Sequence, residues 1–278
     1  MPSRITRRRF LAIGTTVAAG TLVPSLGPAE SKRVSLTRHR VRVPGLPSSL
    51  DRMRIAQVSD LHLYDGVHPV ADDVLALLDR ERPDLVVLTG DQYDRMEGSR
   101  TLAHWLRSLP GGLPVIAVLG NHEYWAGTTT TQAERIHDQA GAALLVNRAE
   151  TCAINGAALT IVGLDDLRAG QPDAITAAGA TLPGVPQIWL IHEPGHVDLV
   201  EWPDAAEPAL ILSGHTHGGQ IRLPGVPPVL PWGSGGYLAG WYRTSAGPMY
   251  VSRGVGSIGI RTRFRCPPEL PIFTLKAA

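Results

Sequence analysis

The stretch Arg54-Ile55-Ala56-Gln57-Val58-Ser59-Asp60-Leu61-His62 is a short, largely apolar run that breaks into two polar side chains able to ligate, Asp60 and His62. The pattern returns in Asp84-Leu85-Val86-Val87-Leu88-Thr89-Gly90-Asp91 and again in Pro114-Val115-Ile116-Ala117-Val118-Leu119-Gly120-Asn121-His122. Runs this short and this rich in Val, Ile and Leu read as strands buried on both faces. Between them, Val70–Arg82 and Ser99–Leu109 place apolar residues such as Val74, Leu77 and Leu78 at helical spacing. A strand, a helix and a strand in about thirty residues is the period of a βαβ unit.

Working outward, further strands are expected at Ala158–Leu164, Gln187–Ile191, Ala209–Leu212, Pro248–Ser252 and Leu270–Leu275, with Arg33–Val43 as a leading edge strand. Helical patterns thin out after residue 145, so the second half should form a more mixed sheet facing the first. Residues Leu223–Gly247 are rich in Pro, Gly and aromatics, which predicts a long irregular loop. The chain has 278 residues, 44% of them apolar and 18% charged. That composition excludes large-scale disorder and suits one large α/β domain over residues 30–278.

Residues 1–29 read differently. Arg4, Arg7, Arg8 and Arg9 precede an uncharged stretch from Phe10 to Val23. It is too short to cross a hydrocarbon core of about 30 Å comfortably but suits a signal-peptide core. Thr6-Arg7-Arg8-Arg9-Phe10-Leu11 resembles a twin-arginine signal, which implies a partner in the twin-arginine export machinery and a destination in the bacterial periplasm or envelope. A retained membrane anchor is the rival reading. Cleavage after residue 29 would leave 22 basic against 25 acidic residues, a balance that carries no nucleic-acid footprint. Cys152 and Cys266 are compatible with one disulfide or with two free thiols.

Five of the expected strand ends carry polar residues able to ligate: Asp60 and His62, Asp91, Asn121 and His122, His192 in LIHEP, and His215 and His217 in SGHTHGGQ. Alternation along an extended chain would bring His215 and His217 to the same side. Taken singly, each of these residues is better explained as a turn former, a helix cap, a surface residue or a hydrogen-bonded core histidine. Taken in order at successive strand ends, where α/β folds gather their ligands, they point to one site.

The ordered series DxH, GDxxD, GNHE, a lone strand-end His and GHTH resembles the calcineurin-like metallophosphoesterase superfamily over about residues 54–220, and the tail VSRGVGSIGIRTRFRCPPELPIFTLK is similar to that of its small exported bacterial branch. The resemblance implies an α/β fold of two facing mixed β-sheets flanked by helices, a four-layer sandwich, holding two divalent metal ions. It implies that Asp60, His62 and His217 bind one ion, that Asn121, His192 and His215 bind the other, that Asp91 bridges them, and that His122 is catalytic. Carboxylate, amide and imidazole donors suit Mn²⁺, Zn²⁺ or Fe²⁺.

The implied activity is a phosphoesterase, with a phosphodiester preferred, acting through metal-activated hydroxide. The alternatives are a pyrophosphatase acting on nucleotide-linked lipid precursors and a metal-binding envelope protein without catalysis. The expected substrate is a phosphoester of lipid or envelope origin, with peripheral membrane or wall contact.

His192-Glu193-Pro194-Gly195-His196 also matches HExxH, but Pro and Gly inside it oppose the helix that a zinc protease needs. His196 is expected to begin a short helix or to lie at the edge of a pocket, and is not expected to be a ligand. Asp165 and Asp166 are expected in a solvated turn, with the border of the site as the alternative. Arg222 and Arg253 are candidate phosphate binders, and Arg261, Arg263 and Arg265 are expected to alternate along a strand with one solvated basic face. Trp232, Tyr237, Trp241 and Tyr242 are placed either in a substrate groove, against a membrane, or in the core.

Overall fold

The computed structural model describes residues 33–278, apart from Val67 and Asn155. The expected signal segment therefore lies outside the described residues. Among the described residues, twelve strands form two six-stranded sheets. The first has the order β1-β12-β2-β3-β4-β5, with β1 Ser35–Val43, β2 Arg54–Val58, β3 Leu85–Thr89, β4 Val115–Val118, β5 Ala143–Leu144 and β12 Glu269–Ala277. The second has the order β10-β11-β9-β8-β7-β6, with β6 Arg148–Ile154, β7 Ala157–Gly163, β8 Gln187–Leu190, β9 Pro208–Ser213, β10 Gly240–Arg243 and β11 Pro248–Val251.

Strands β2 to β5 run parallel, and so do β7, β8, β9 and β11, while β12 against β2, β6 against β7 and β10 against β11 are antiparallel. Both sheets are therefore mixed, as expected. Each parallel block directs its carboxyl ends to the rim where the potential ligands follow.

Alternation on the buried strands explains the four layers. Ile55, Val87, Ile116 and Val118 meet Ile161, Ile188, Leu190 and Leu212 of the second sheet to form the inter-sheet core. The opposite face of the first sheet, with Ala56, Val86 and Leu88, receives Val74 and Leu78 of α1 (Pro69–Glu81) and Leu102 and Trp105 of α2 (Gly98–Arg107). Burying each such Val or Leu contributes about 1.5–3 kcal/mol. Pro69 sits in the first turn of α1, where its missing N–H costs nothing, and Arg82 closes the helix in a left-handed conformation.

Outside the second sheet, Trp189 and Ile211 pack against Ala174, Ala177 and Ala178 of a short helix, Ala174–Ala178, and against Val197 of another, His196–Leu199. Gln57 ties the two sheets together below the rim, donating from Nε2 to Thr89 Oγ1 and to the Ser213 carbonyl, both at 2.9 Å.

The 223–247 segment is irregular as expected except that it contains β10, which pairs with β11. Arg261, Arg263 and Arg265 do not form a strand: the chain there is a series of bends, and Arg263 is fully buried. Asp165 and Asp166 are also buried, not solvated, because their carboxylates accept backbone N–H groups of Gln171 and of Arg168 and Ala169. Both cysteines are free thiols. No helix among the described residues is long and apolar enough to cross a membrane.

Candidate metal centre

Three overlapping groups form at the shared rim, each with its potential ligand atoms within 4.8 Å of one another: Asp60, His62 and His217; His62, Asp91 and His122; Asp91, His192 and His215. Asp91 stands between the outer two. Its Oδ2 lies 3.7 Å from His62 Nε2 and 3.2 Å from His192 Nε2. Asn121 is buried beside them at the start of the short helix Asn121–Trp125, and its Oδ1 has no hydrogen-bond partner among the described residues.

The backbone turns sharply to make this possible. Asp60, His62, Asp91, His215 and His217 all adopt positive φ, at 54°, 47°, 52°, 70° and 49°. Such conformations cost of order 1–3 kcal/mol each and persist only where the surroundings enforce them. They also correct the alternation argument: His215 and His217 lie past the end of β9, and left-handed turns send them to different groups. A side chain on Gly214 would collide with Ser59 Oγ and Asp60 Oδ2, so only glycine lets the β9 exit approach the β2 exit so closely. Gly90, at φ +87°, is required twice over, because a Cβ there would strike the His192 ring.

Hydrogen bonds fix which ring nitrogen faces inward. A carbonyl can only accept, so His192 carries its proton on Nδ1, 2.8 Å from the Thr89 carbonyl, and His215 carries its proton on Nε2, 2.7 Å from the Trp232 carbonyl. The remaining nitrogens, His192 Nε2 and His215 Nδ1, then face each other at 3.1 Å. Two inward lone pairs at that separation, beside a carboxylate and an unpartnered amide oxygen, are a donor set that a cation completes. The residues present therefore fit a pair of divalent ions.

Burial strongly opposes charge on His215, pushing its pKa down to about 3 with help from His192, so it remains neutral. Burial would also lower His192, but the Asp91 carboxylate outweighs it and raises that imidazole well above its ordinary value, so without a cation a second proton sits on Nε2, and a metal ion would displace it to reach the lone pair. For Asp91 itself, burial works against ionisation, yet His192, His62 and His122 hold its pKa well below the usual carboxylate range.

Three residues of the site are not assigned to it by the sequence. Asp94, the last residue of GDQYD, faces His62 Nδ1 at 2.5 Å and His122 Nδ1 at 2.9 Å through one oxygen. Its partners His122 and His62 outweigh burial and depress its pKa, so it is a carboxylate that binds both rings. The GDxxD spacing was the available signal.

Glu123, the last residue of GNHE, accepts four backbone N–H groups: those of Gln92 and Tyr93 on Oε1, and those of Gly120 and Asp91 on Oε2. It thus clamps the Asp91 turn to the Asn121–His122 turn. Burial and the Asp91 charge push its pKa up to about 8, against the pull of the Gly120 and Tyr93 donors.

Arg263 is the third. Its guanidinium lies 3.2 Å from His217 Nδ1 and donates to the carbonyls of Gly256, Arg253 and His217. Its alternation with Arg261 and Arg265 marks it in the sequence only as part of a solvated face, and the structure buries it instead.

His122 itself is 15% exposed at its side chain, and its backbone N–H donates to Asp91 Oδ1 at 2.9 Å. His196 begins its own short helix and does not share one with His192, so HExxH has no protease geometry here. Of the arginines considered as phosphate binders, Arg253 pairs with Glu269 at 3.2 Å and Arg222 donates to the Gly218 carbonyl at 2.6 Å. Trp232 and Trp241 are exposed, while Tyr237 packs on Tyr242 with ring centroids 4.9 Å apart.

Comparison with known proteins agrees with this geometry. The model of the calcineurin-like phosphoesterase family matches residues 53–219. The metallophosphoesterase YkuE of Bacillus subtilis is 31% identical, covering 99% of each chain. Phosphodiesterase YaeI of Escherichia coli is 32% identical, covering 98% of this chain and 99% of its own. UDP-2,3-diacylglucosamine pyrophosphatase LpxG of Chlamydia trachomatis is 27% identical over 94% of this chain and 97% of its own. With the family model matched over more than half of its length, the chain belongs to the calcineurin-like phosphoesterase family and is a metal-dependent hydrolase of phosphoric esters.

Proposed function

We propose that the protein is an exported phosphodiesterase. Asp60, His62 and His217 would hold one divalent ion, Asn121, His192 and His215 would hold a second, and Asp91, standing between the groups, would serve both. The carrying observation is the position of Asp91 between two groups whose inward ring nitrogens meet only one another or a carboxylate of the site, beside an amide oxygen of Asn121 that has no partner among the described residues. The oxygen and nitrogen donors favour Mn²⁺, Zn²⁺ or Fe²⁺. When bound, two such ions act as Lewis acids on phosphoryl oxygens and bring the pKa of a water from about 15.7 towards 7.

The chain's own contribution is to orient and to move a proton. Asp94 takes the Nδ1 side of His122, which leaves Nε2 for the substrate. As a hydroxide oxygen, its proton already lost to solvent, bonds to phosphorus and the ester P–O bond breaks, the departing oxygen takes the Nε2 proton of doubly protonated His122, whose Nδ1–H stays on Asp94 and whose Nε2 is reprotonated from solvent. Glu123 and the left-handed turns keep the donors in place before substrate arrives.

The diester preference rests on the similarity to YaeI. The similarity to LpxG favours a second reading, cleavage of a pyrophosphate that links a nucleotide to a lipid. Export through the twin-arginine-like segment favours an envelope phosphodiester over such a nucleotide-linked substrate.

The test is hydrolysis of bis(p-nitrophenyl) phosphate and p-nitrophenyl phosphate by metal-stripped protein with Mn²⁺, Zn²⁺ or Fe²⁺ restored separately. Metal-dependent turnover of the diester is expected, with Asp91→Asn reducing it by more than about a hundredfold, since even partners behind the ligands cost 10–100-fold. Turnover indifferent to metal, or retained in Asp91→Asn, would overturn the reading.

A further inference from the structure

Beside the metal centre lies a cavity of about 530 Å³ that the chemistry above does not use. Leu61, Val70, Ala71 and Val255 give it apolar walls, and His62 lines it as well as the Asp60, His62 and His217 group, so the two are contiguous. Val255 and Gly256 donate their backbone N–H groups to the carbonyls of Ser59 and Asp60, at 2.8 and 2.7 Å. The cavity wall is thus pinned to the same backbone that presents Asp60.

A cation marks its mouth. The Arg261 guanidinium lies 3.6 Å from the centroid of the Tyr64 ring. Stacking holds the group in place without using its N–H fork, and among the described residues it has no carboxylate within ion-pair distance. Arg253, by contrast, is engaged by Glu269. Volumes of 300–1,000 Å³, apolar walls and a few placed polar groups are typical of sites for small organic ligands.

Resting on the phosphodiesterase reading, we infer that this cavity seats one organic arm of the substrate, and that the arm is amphiphilic: an apolar stem lies along Leu61, Val70 and Val255, and an anionic group reaches Arg261. The subsite selects among phosphodiesters by the arm they carry and leaves the reaction at phosphorus unchanged.

Three diesters that share a p-nitrophenyl leaving group separate these contributions: the methyl, the octyl and the 7-carboxyheptyl p-nitrophenyl phosphates. With the full chain and metal restored, KM is expected to fall at least about tenfold from methyl to octyl, and about a further fivefold with the terminal carboxylate. Arg261→Ala should abolish only the carboxylate's gain, Arg261→Lys should restore part of it, and Val70→Trp should abolish the octyl gain while kcat on the methyl ester is kept.

Equal KM across the series in the wild type, or a carboxylate gain that survives Arg261→Ala, would overturn the subsite while leaving the phosphodiesterase intact. Failure to hydrolyse even the methyl ester with any metal would instead strike at the activity. Calorimetric binding of 7-carboxyheptyl phosphate to wild type and Arg261→Ala would then still decide the subsite: equal affinity removes it, and a loss of about fivefold keeps it.

Discussion

The two halves of the metal centre use the same residue types but hold them by different means. In the half built from Asp91, His192 and His215, backbone carbonyls of Thr89 and Trp232 fix the rings. In the half built from Asp60, His62 and His217, charged side chains do it: Asp94 on His62 and Arg263 on His217. A carbonyl neither titrates nor changes partner, so the first arrangement permits one tautomer. The second couples ligand orientation to charge, and through Asp94 it also reaches His122, whose ring lies 4.7 Å from that of His62. Rigidity is concentrated where an ion is gripped, and electrostatic coupling where a proton must move.

The sharpest break in that comparison comes from His122→Ala. The residue faces Asp94 but contributes no atom to either outer group of ligands. Metal content measured by elemental analysis is expected to match wild type, while kcat on bis(p-nitrophenyl) phosphate falls about 10²–10⁴-fold. Loss of metal in parallel with activity would make His122 a structural part of the centre and end its assignment as acid.

Next in size is Asp94→Asn, which weakens the charge-held half alone. A loss of about 10–100-fold in kcat is expected, with the first-filled ion site identified by titration and the carbonyl-held site unaffected. Stability supplies a second readout. Despite burial, the His122 and His62 hydrogen bonds lower the Asp94 pKa in the folded state. The stabilisation this provides is complete above the ordinary carboxylate value of about 3.9, and it is lost as pH falls through the lowered folded value. The Tm gap between metal-free wild type and Asp94→Asn should therefore be open at pH 7 and narrow below about pH 4. A gap independent of pH would mean that Asp94 acts by packing and not by charge.

How far the sequence reached follows from the same distinction. Strands β2, β3, β4, β8 and β9 are buried on both faces, so their apolar runs were continuous and legible, and the residues at their ends came together as the order of motifs implied. Strand β6 alternates exposed and half-buried residues at a sheet edge, and β5 has two residues, so neither carried a run to detect. The helix Thr130–Asp138 was overlooked although Thr129 and Gln132 form a capping box at its start, a signal that the apolar pattern alone does not contain. Asp94 and Glu123 sat inside quoted motifs, but their duties depend on backbone N–H groups and rings brought in by other strands. Their spacing marked them, and only the fold gives them partners.

Arg263 is the extreme of that kind, and it offers the smallest and most local test. Its alternation with Arg261 and Arg265 suggested a solvated face, yet its side chain is buried and its fork is filled by the carbonyls of Gly256, Arg253 and His217. These carbonyls come from the SGHTHGG turn and from the tail, so the guanidinium joins two segments far apart in the chain. Burial lowers its pKa to about 10, which leaves it charged at neutral pH.

Arg263→Met keeps the apolar stem and removes the fork, stranding several buried acceptors at about 1–3 kcal/mol. For a domain of this size that corresponds to a fall in Tm of roughly 2–12 °C by calorimetry. The variant should also weaken the ion held by His217, with the His192 and His215 site filled as in wild type, because only the former ring loses its support. Equal weakening of both sites would show that the guanidinium supports the rim as a whole, and the division between a charge-held and a carbonyl-held half would lose its meaning.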